Sequence, residues 1–212
     1  MDDNSCEASA SFVEALLSRW PDRFTLVRPR LRRGSLANTV LAIRHFCGNP
    51  DSVIVTLDAD DALLGPLVLD RVAAEYAKGA DVTVGSMLRT DKHQQYIPDF
   101  DRPRAKRGGN VWQHLRTFKK SLFDQIPDND LRLNGHYLDV AADWALMLPI
   151  VEMARQPAYI PTPLYLYEPS DSSPVRRALR RLPEIEHLAA QPARTPAFRA
   201  PAELQPCLEP TI

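Results

Sequence analysis

The sequence has no excess of either charge, no long apolar run and almost no cysteine, and each shortage removes a class of function. Lys and Arg number 26 and Asp and Glu 27 among 212 residues. No bulk positive charge is therefore available to neutralise a nucleic-acid backbone or an anionic membrane surface. No apolar stretch approaches the roughly 18 residues that a spanning helix needs, so at most peripheral membrane contact is expected. The opening MDDNSCEASA carries neither the basic region nor the apolar core of a secretory signal. Cys6, Cys47 and Cys207 fall in no disulfide or zinc spacing and read as reduced thiols of a cytoplasmic protein. Glycine is scarce as well, 8 against 19 prolines. Many of those prolines follow residue 160, and the closing stretch AAQPARTPAFRAPAELQPCLEPTI has almost no amphipathic period. Such a segment buries too little apolar surface to offset the entropy of ordering it.

What remains is enough for one domain with a sizeable core, at 44% hydrophobic and 25% charged residues. Ser9 to Trp20 places Phe12, Val13, Leu16, Leu17 and Trp20 at helical spacing, and Pro21 ends the run. RFTLV (23–27) reads as a short strand, and Ser35 as the cap of a helix with Leu36, Val40, Ile43 and Phe46 on its apolar face. SVIVTL (52–57) is apolar throughout, as a strand covered on both faces should be. Pro66 suits the first turn of the next helix, and DVTVGSM (81–87) the next strand. This alternation predicts an α/β fold with a mainly parallel sheet and flanking helices. It stops over residues 90–109, a polar, aperiodic insertion of the kind that forms binding loops or lids. A helix around 111–119, a strong helix over 141–154 and two short strands, AYI and PLYLY, are expected beyond it. The domain is expected over 1–174, with a nucleotide and metal half to about residue 90 and an acceptor half from about 110. A basic surface helix broken at Pro183 should fill 175–190, and a mobile tail 191–212.

The chemistry concentrates in VIVTLDADDALLGP, where a buried strand ends in Asp58, Asp60 and Asp61. Ligands of open parallel sheets sit beyond the carboxyl ends of strands. Carboxylates packed together repel unless a cation or protons neutralise them, and hard oxygen ligands favour Mg²⁺ or Mn²⁺. The plainer alternative is a solvated turn capping the following helix.

DSVIVTLDADDALLGPLVLDRV resembles the segment around the Asp-x-Asp motif of family-2 glycosyltransferases, which have the GT-A fold. DDNS (2–5) looks like the acidic end of that family's second strand, and RRGSLANTVLAI like the loop and helix before the metal motif. HLRTFKKSLFDQI, YLDVAADWALMLPIVEMA and YIPTPLYLYEPSDSSP are similar, in that order, to the acceptor-side half of bacterial surface-polysaccharide members. The likeness covers residues 2 to 174 and implies a GT-A-like, Rossmann-like sheet. Members begin with a strand of the type VSVIIPTYN, so the likeness also implies that the first strand or strands are missing.

The resemblance implies roles. Asp58 and Asp60 would hold Mg²⁺ or Mn²⁺ on the diphosphate of a nucleotide-sugar donor, with Asp60 the more direct ligand and Asp61 a helix cap. Asp3, with Asp2 behind it, would contact the nucleotide's base or ribose, and Arg33 of RPRLRR (28–33) the diphosphate. Asp143 would be the general base of an inverting transfer to a polysaccharide or lipid-linked acceptor. The family's Glu-Asp pair is here Ala142-Asp143. Trp144 is a candidate sugar platform, Arg116, Lys119 and Lys120 candidate phosphate contacts, and His114 and His136 candidate acceptor contacts, each weighed against a core or solvated role. Glu152 reads as structural. Two competing functions stand beside the enzyme: a non-catalytic remnant of the fold serving as an interaction module, and a haloacid-type phosphatase. Ala62 and Leu63, where the phosphatase motif needs other residues, argue against the second.

Overall fold

The computed structural model describes residues 1–91, 97–104, 112–169 and 174–194. Much of the expected lid, and residues 195–212 of the expected tail, lie outside the described residues. The first half alternates as expected: α1 (Glu7–Leu17), α2 (Ser35–Phe46), β1 (Val53–Thr56), β2 (Ala62–Leu63), α3 (Val68–Ala77) and β3 (Val82–Arg89). Then come β4 (Arg116–Lys119), α4 (Lys120–Phe123), β5 (Arg132–Leu133), β6 (His136–Tyr137), α5 (Ala142–Met153), β7 (Pro157–Tyr167) and α6 (Pro174–Ala190).

The main sheet runs β1-β4-β3-β7-β2. β3 and β7 pair in parallel, whereas β4 is antiparallel to both β1 and β3, and β2 is antiparallel to β7. Thus β1, β3 and β7 share one direction, and their carboxyl ends open on the same edge. The sheet separates two apolar layers. Ile54, Val82, Val84 and Phe118 belong to the larger core, with Leu36, Val40 and Ile43 of α2, Phe123 of α4 and most of α5. Val68 and Val72 of α3 belong to the other, with Leu164 and Tyr165 of β7. α5 is buried over nearly its whole surface, as a helix apolar all round must be.

Four local expectations need correcting. Residues 116–119 form a strand, not a helix, because Thr117 and Phe118 find pairing partners on both sides, in β1 and in β3. RFTLV is irregular: no neighbour offers it a ladder, although Val27 accepts the Asp2 N–H at 2.9 Å. Gly34, not Ser35, caps α2, at a φ of 86° that suits glycine. AYI and PLYLY are one strand, whose pairing skips between Ile160 and Pro163 where Pro161 lacks a donor.

α6 departs most from expectation. It passes through Pro183 unbroken and, while Leu182, Pro183 and Glu186 stay exposed, it turns one side inward: Leu188 is fully buried and Ile185 packs on the larger core. Arg104 holds its far end, donating to Ala189 O at 3.2 Å and Gln191 O at 2.9 Å while pairing with buried Glu152 of α5. A guanidinium on the last carbonyls of a helix satisfies orphan acceptors and the dipole together. Those attachments outweigh the one hydrogen bond that Pro183 forgoes.

Candidate active site

The acidic turn begins two residues after β1, and its three aspartates divide the labour. Asp61 is not a helix cap, since α3 starts only at Val68. Its Oδ2 accepts the Tyr165 hydroxyl at 2.6 Å and its Oδ1 the Glu168 N–H at 2.8 Å, which ties the turn to the end of β7. The Tyr165 oxygen in turn accepts the Asp58 N–H at 3.2 Å. Asp60 is exposed, and the Asp58 side chain is 55% exposed. Burial of its inner side raises the Asp58 carboxyl above the ordinary value; Arg116 opposes that shift, and Asp61, Asp60 and Asp143 add to it. Asp143, from the other half of the sequence, is therefore close enough to act on the acidic turn.

β4 brings basic and aromatic groups to the same edge. His114 stacks on Tyr165 with ring centroids 4.3 Å apart, and its Nε2 lies 3.7 Å from Asp58 Oδ2. Burial, then the Arg116 charge, lowers this imidazole to about 2, so it is neutral at physiological pH and the contact is no ion pair. Its Nδ1 is buried without a hydrogen-bond partner, as are Trp112 Nε1 and both amide atoms of Gln113. Native interiors rarely leave such atoms unpaired, so each of them calls for a partner. Gln113 went unremarked in the sequence because nothing there shows its burial. Gly85 makes this approach possible: a Cβ on it would stand 2.7 Å from the Leu115 nitrogen. Lys120 instead pairs with Asp124 at 2.6 Å, and Lys119 lies at the opposite end of β4 from Arg116.

Asp143 stands in the first turn of α5, a position the helix dipole favours for an acid. Its Oδ1 accepts the Trp144 N–H at 2.9 Å and Arg181 Nη2 at 2.7 Å. Trp144 itself is fully buried, so it belongs to the core and offers no face to a sugar. Glu184 of α6 accepts the N–H groups of Asp139, Val140 and Ala141 at 2.9, 2.9 and 2.6 Å, capping α5 from a distant segment. Neither Arg181 nor Glu184 was singled out in the sequence. The signal was their spacing of three, one turn, on a helix that also carries Ile185 and Leu188.

Asp3 sits at the start of α2. Burial acts to raise its carboxyl, but the Arg33 N–H, the Asn38 amide, the Gly34 N–H and the Arg32 charge outweigh that and hold it below the usual range. The bonds are 2.8 Å from Arg33, 2.7 Å from Asn38 and 3.1 Å from Gly34. Asp2 likewise folds the terminus, accepting the Ser5 N–H at 3.0 Å beside Arg28. The Arg33 side chain is exposed. A Cβ on Gly34 would lie 3.5 Å from Asp139 Oδ1, so the loop held by Asp3 reaches the approach to α5. His136 is exposed on the β5–β6 hairpin.

Among the described residues no group of three or more His, Cys, Asp or Glu side chains surrounds one metal position. Asp58 and Asp60 still fit a hard divalent ion as a partial set: among the described residues neither carboxylate accepts a hydrogen bond, and Arg116 only partly offsets the like charge around Asp58. Such an ion would take its other oxygens from water and phosphate.

A family model described as Glycosyl transferase family 2 matches residues 1–135. No curated protein matches the chain. Among solved structures, S. aureus TarS 1-349 superposes with a TM-score of 0.57 at 13% identity, over 88% of this chain and 59% of that one. The same protein in complex with UDP-GlcNAc gives 0.55 at 15%, over 81% and 49%. The longer TarS structure gives 0.57 at 15%, over 91% and 38%. This chain thus spans well under two thirds of their length, and the likeness is one of fold.

Proposed function

This chain belongs to glycosyl transferase family 2, and on that premise we propose that it transfers a sugar with inversion from a nucleotide diphosphate sugar to a polysaccharide or lipid-linked acceptor. The reading is carried by the turn that Tyr165 fastens to β7, where the charges of Asp60, Asp61 and Asp143 all bear on Asp58. Asp58 and Asp60 would hold Mg²⁺ or Mn²⁺, which offsets negative charge on the departing diphosphate. Asp3 orders the loop before α2 on the nucleotide side, and Arg33 faces the diphosphate. Asp143 accepts the acceptor hydroxyl's proton as its oxygen bonds the anomeric carbon. The bond from that carbon to the diphosphate breaks, and its electron pair leaves with the nucleoside diphosphate. Gln113 and His114 contact sugar hydroxyls, giving their unpaired atoms partners. We place the reaction in the cytoplasm.

UDP-GlcNAc, bound by TarS, is the first donor to try. Calorimetry with Mn²⁺ should show metal-dependent binding that Asp60→Ala abolishes, whereas Asp143→Asn keeps binding and loses all but a residual rate of transfer. Equal nucleotide affinity with and without metal, or full turnover by Asp143→Asn, would refute these assignments. Binding without turnover in the unsubstituted protein would favour a non-catalytic module of the same fold.

A further inference from the structure

We propose that Arg181 is a positioning residue for transfer and that α6 is part of the catalytic unit, an inference that rests on Asp143 being the base. Arg181 Nη2 and the Trp144 N–H both bind Oδ1 of Asp143. Among the described residues Oδ2 takes no hydrogen bond, so the carboxylate is clamped by one oxygen and offers the other to a hydroxyl. Two donors on Oδ1 stop the carboxylate from turning about its Cβ–Cγ bond, which fixes where Oδ2 points. A base held in this way loses little geometry when the acceptor arrives.

The clamp is itself braced. One turn beyond Arg181, Glu184 grips the three backbone N–H groups that precede α5. A single stretch of α6 thus holds both the base and the helix start that carries it. Leu188 is buried, and Arg104 secures the helix end, so the grip does not depend on a frayed terminus. Arg181 is half-buried, with its Nε enclosed and without a partner. The family model stops at residue 135, so nothing in that match points to residue 181.

A mutant cycle on transfer tests the idea, using Arg181→Ala, Arg181→Met (which keeps the aliphatic stem), Asp143→Asn and the double variants, with folding followed by thermal melting. Arg181→Ala and Arg181→Met should each lower kcat by about tenfold while donor KM stays within about twofold. Arg181→Lys, able to reach Oδ1, should recover most of the rate. Acting through Asp143, Arg181→Met should not slow Asp143→Asn further. Wild-type kcat in a folded Arg181→Met protein, or losses that multiply in the double variant, would overturn the proposal. Unimpaired turnover by Asp143→Asn alone would instead remove the base assignment, a different failure.

Discussion

Replacing Tyr165 by phenylalanine would keep the ring that stacks on His114 and delete only a hydroxyl. That hydroxyl donates to Asp61 at 2.6 Å and accepts the Asp58 N–H at 3.2 Å, in a side chain that is fully buried. A hydrogen bond to a charged group contributes about 1.5–3 kcal/mol, and the neutral one to a backbone N–H about 0.5–1.5 kcal/mol. Residues 57–60 are all exposed, so water can take up the freed Asp58 N–H and the second contribution largely cancels. Asp61 keeps the Glu168 N–H, which tempers the first. The net loss should be about 2 kcal/mol, or about 4–8 °C in Tm for a chain of this size. The larger effect should fall on binding. Once the turn is no longer fastened to β7, Asp58 and Asp60 must be ordered when metal and donor arrive, and affinity should drop about tenfold. Melting curves and Mn²⁺-dependent calorimetry read the two effects separately. A Tm within about 1 °C of wild type together with unchanged affinity would refute the reasoning.

Further outcomes can be checked. Asp58 has its proton affinity raised in the folded state above a reference of 3.8, so its contribution is intact below that pH and is lost as pH rises through the folded value. Asp58→Asn should therefore melt higher than wild type at neutral pH without metal, the gap closing towards acid, and it should lose metal-dependent binding; equal melting at pH 7 would sink this. Gly85→Ala forces a methyl to within 2.7 Å of the Leu115 nitrogen and 3.2 Å of the His114 carbonyl oxygen. It should cost about 1–3 kcal/mol by denaturant titration and weaken acceptor binding by displacing His114.

The fold was legible where sequence-local signals sufficed. The β-branched runs at 53–56 and 82–84 read as strands, and the amphipathic run at 35–46 as a helix. β4 was not legible, because RTFK becomes a strand only through β1 and β3, which pair with it from more than thirty residues away at the nearer end. The acidic turn was visible because charge beside a buried strand is chemically abrupt. Asp61 was misjudged because Tyr165 and Glu168, its partners, lie about a hundred residues downstream. α6 was legible only in part: VRRALRR signals a surface helix, but Pro183 signals a break that the helix does not show. Neither signal shows that Glu184 and Leu188 turn inward.

β4 alternates its duties residue by residue. Arg116, whose charge reaches Asp58, shares a face with Phe118 in the larger core, while Thr117 points the other way and meets Thr83 at 2.6 Å. A single-residue insertion just before it would swap those faces, burying a guanidinium beside Thr83 and withdrawing an aromatic from the larger core in one step. Descendants of this sequence can diversify through the loops that flank β4, but sliding the strand itself would sacrifice folding and chemistry simultaneously.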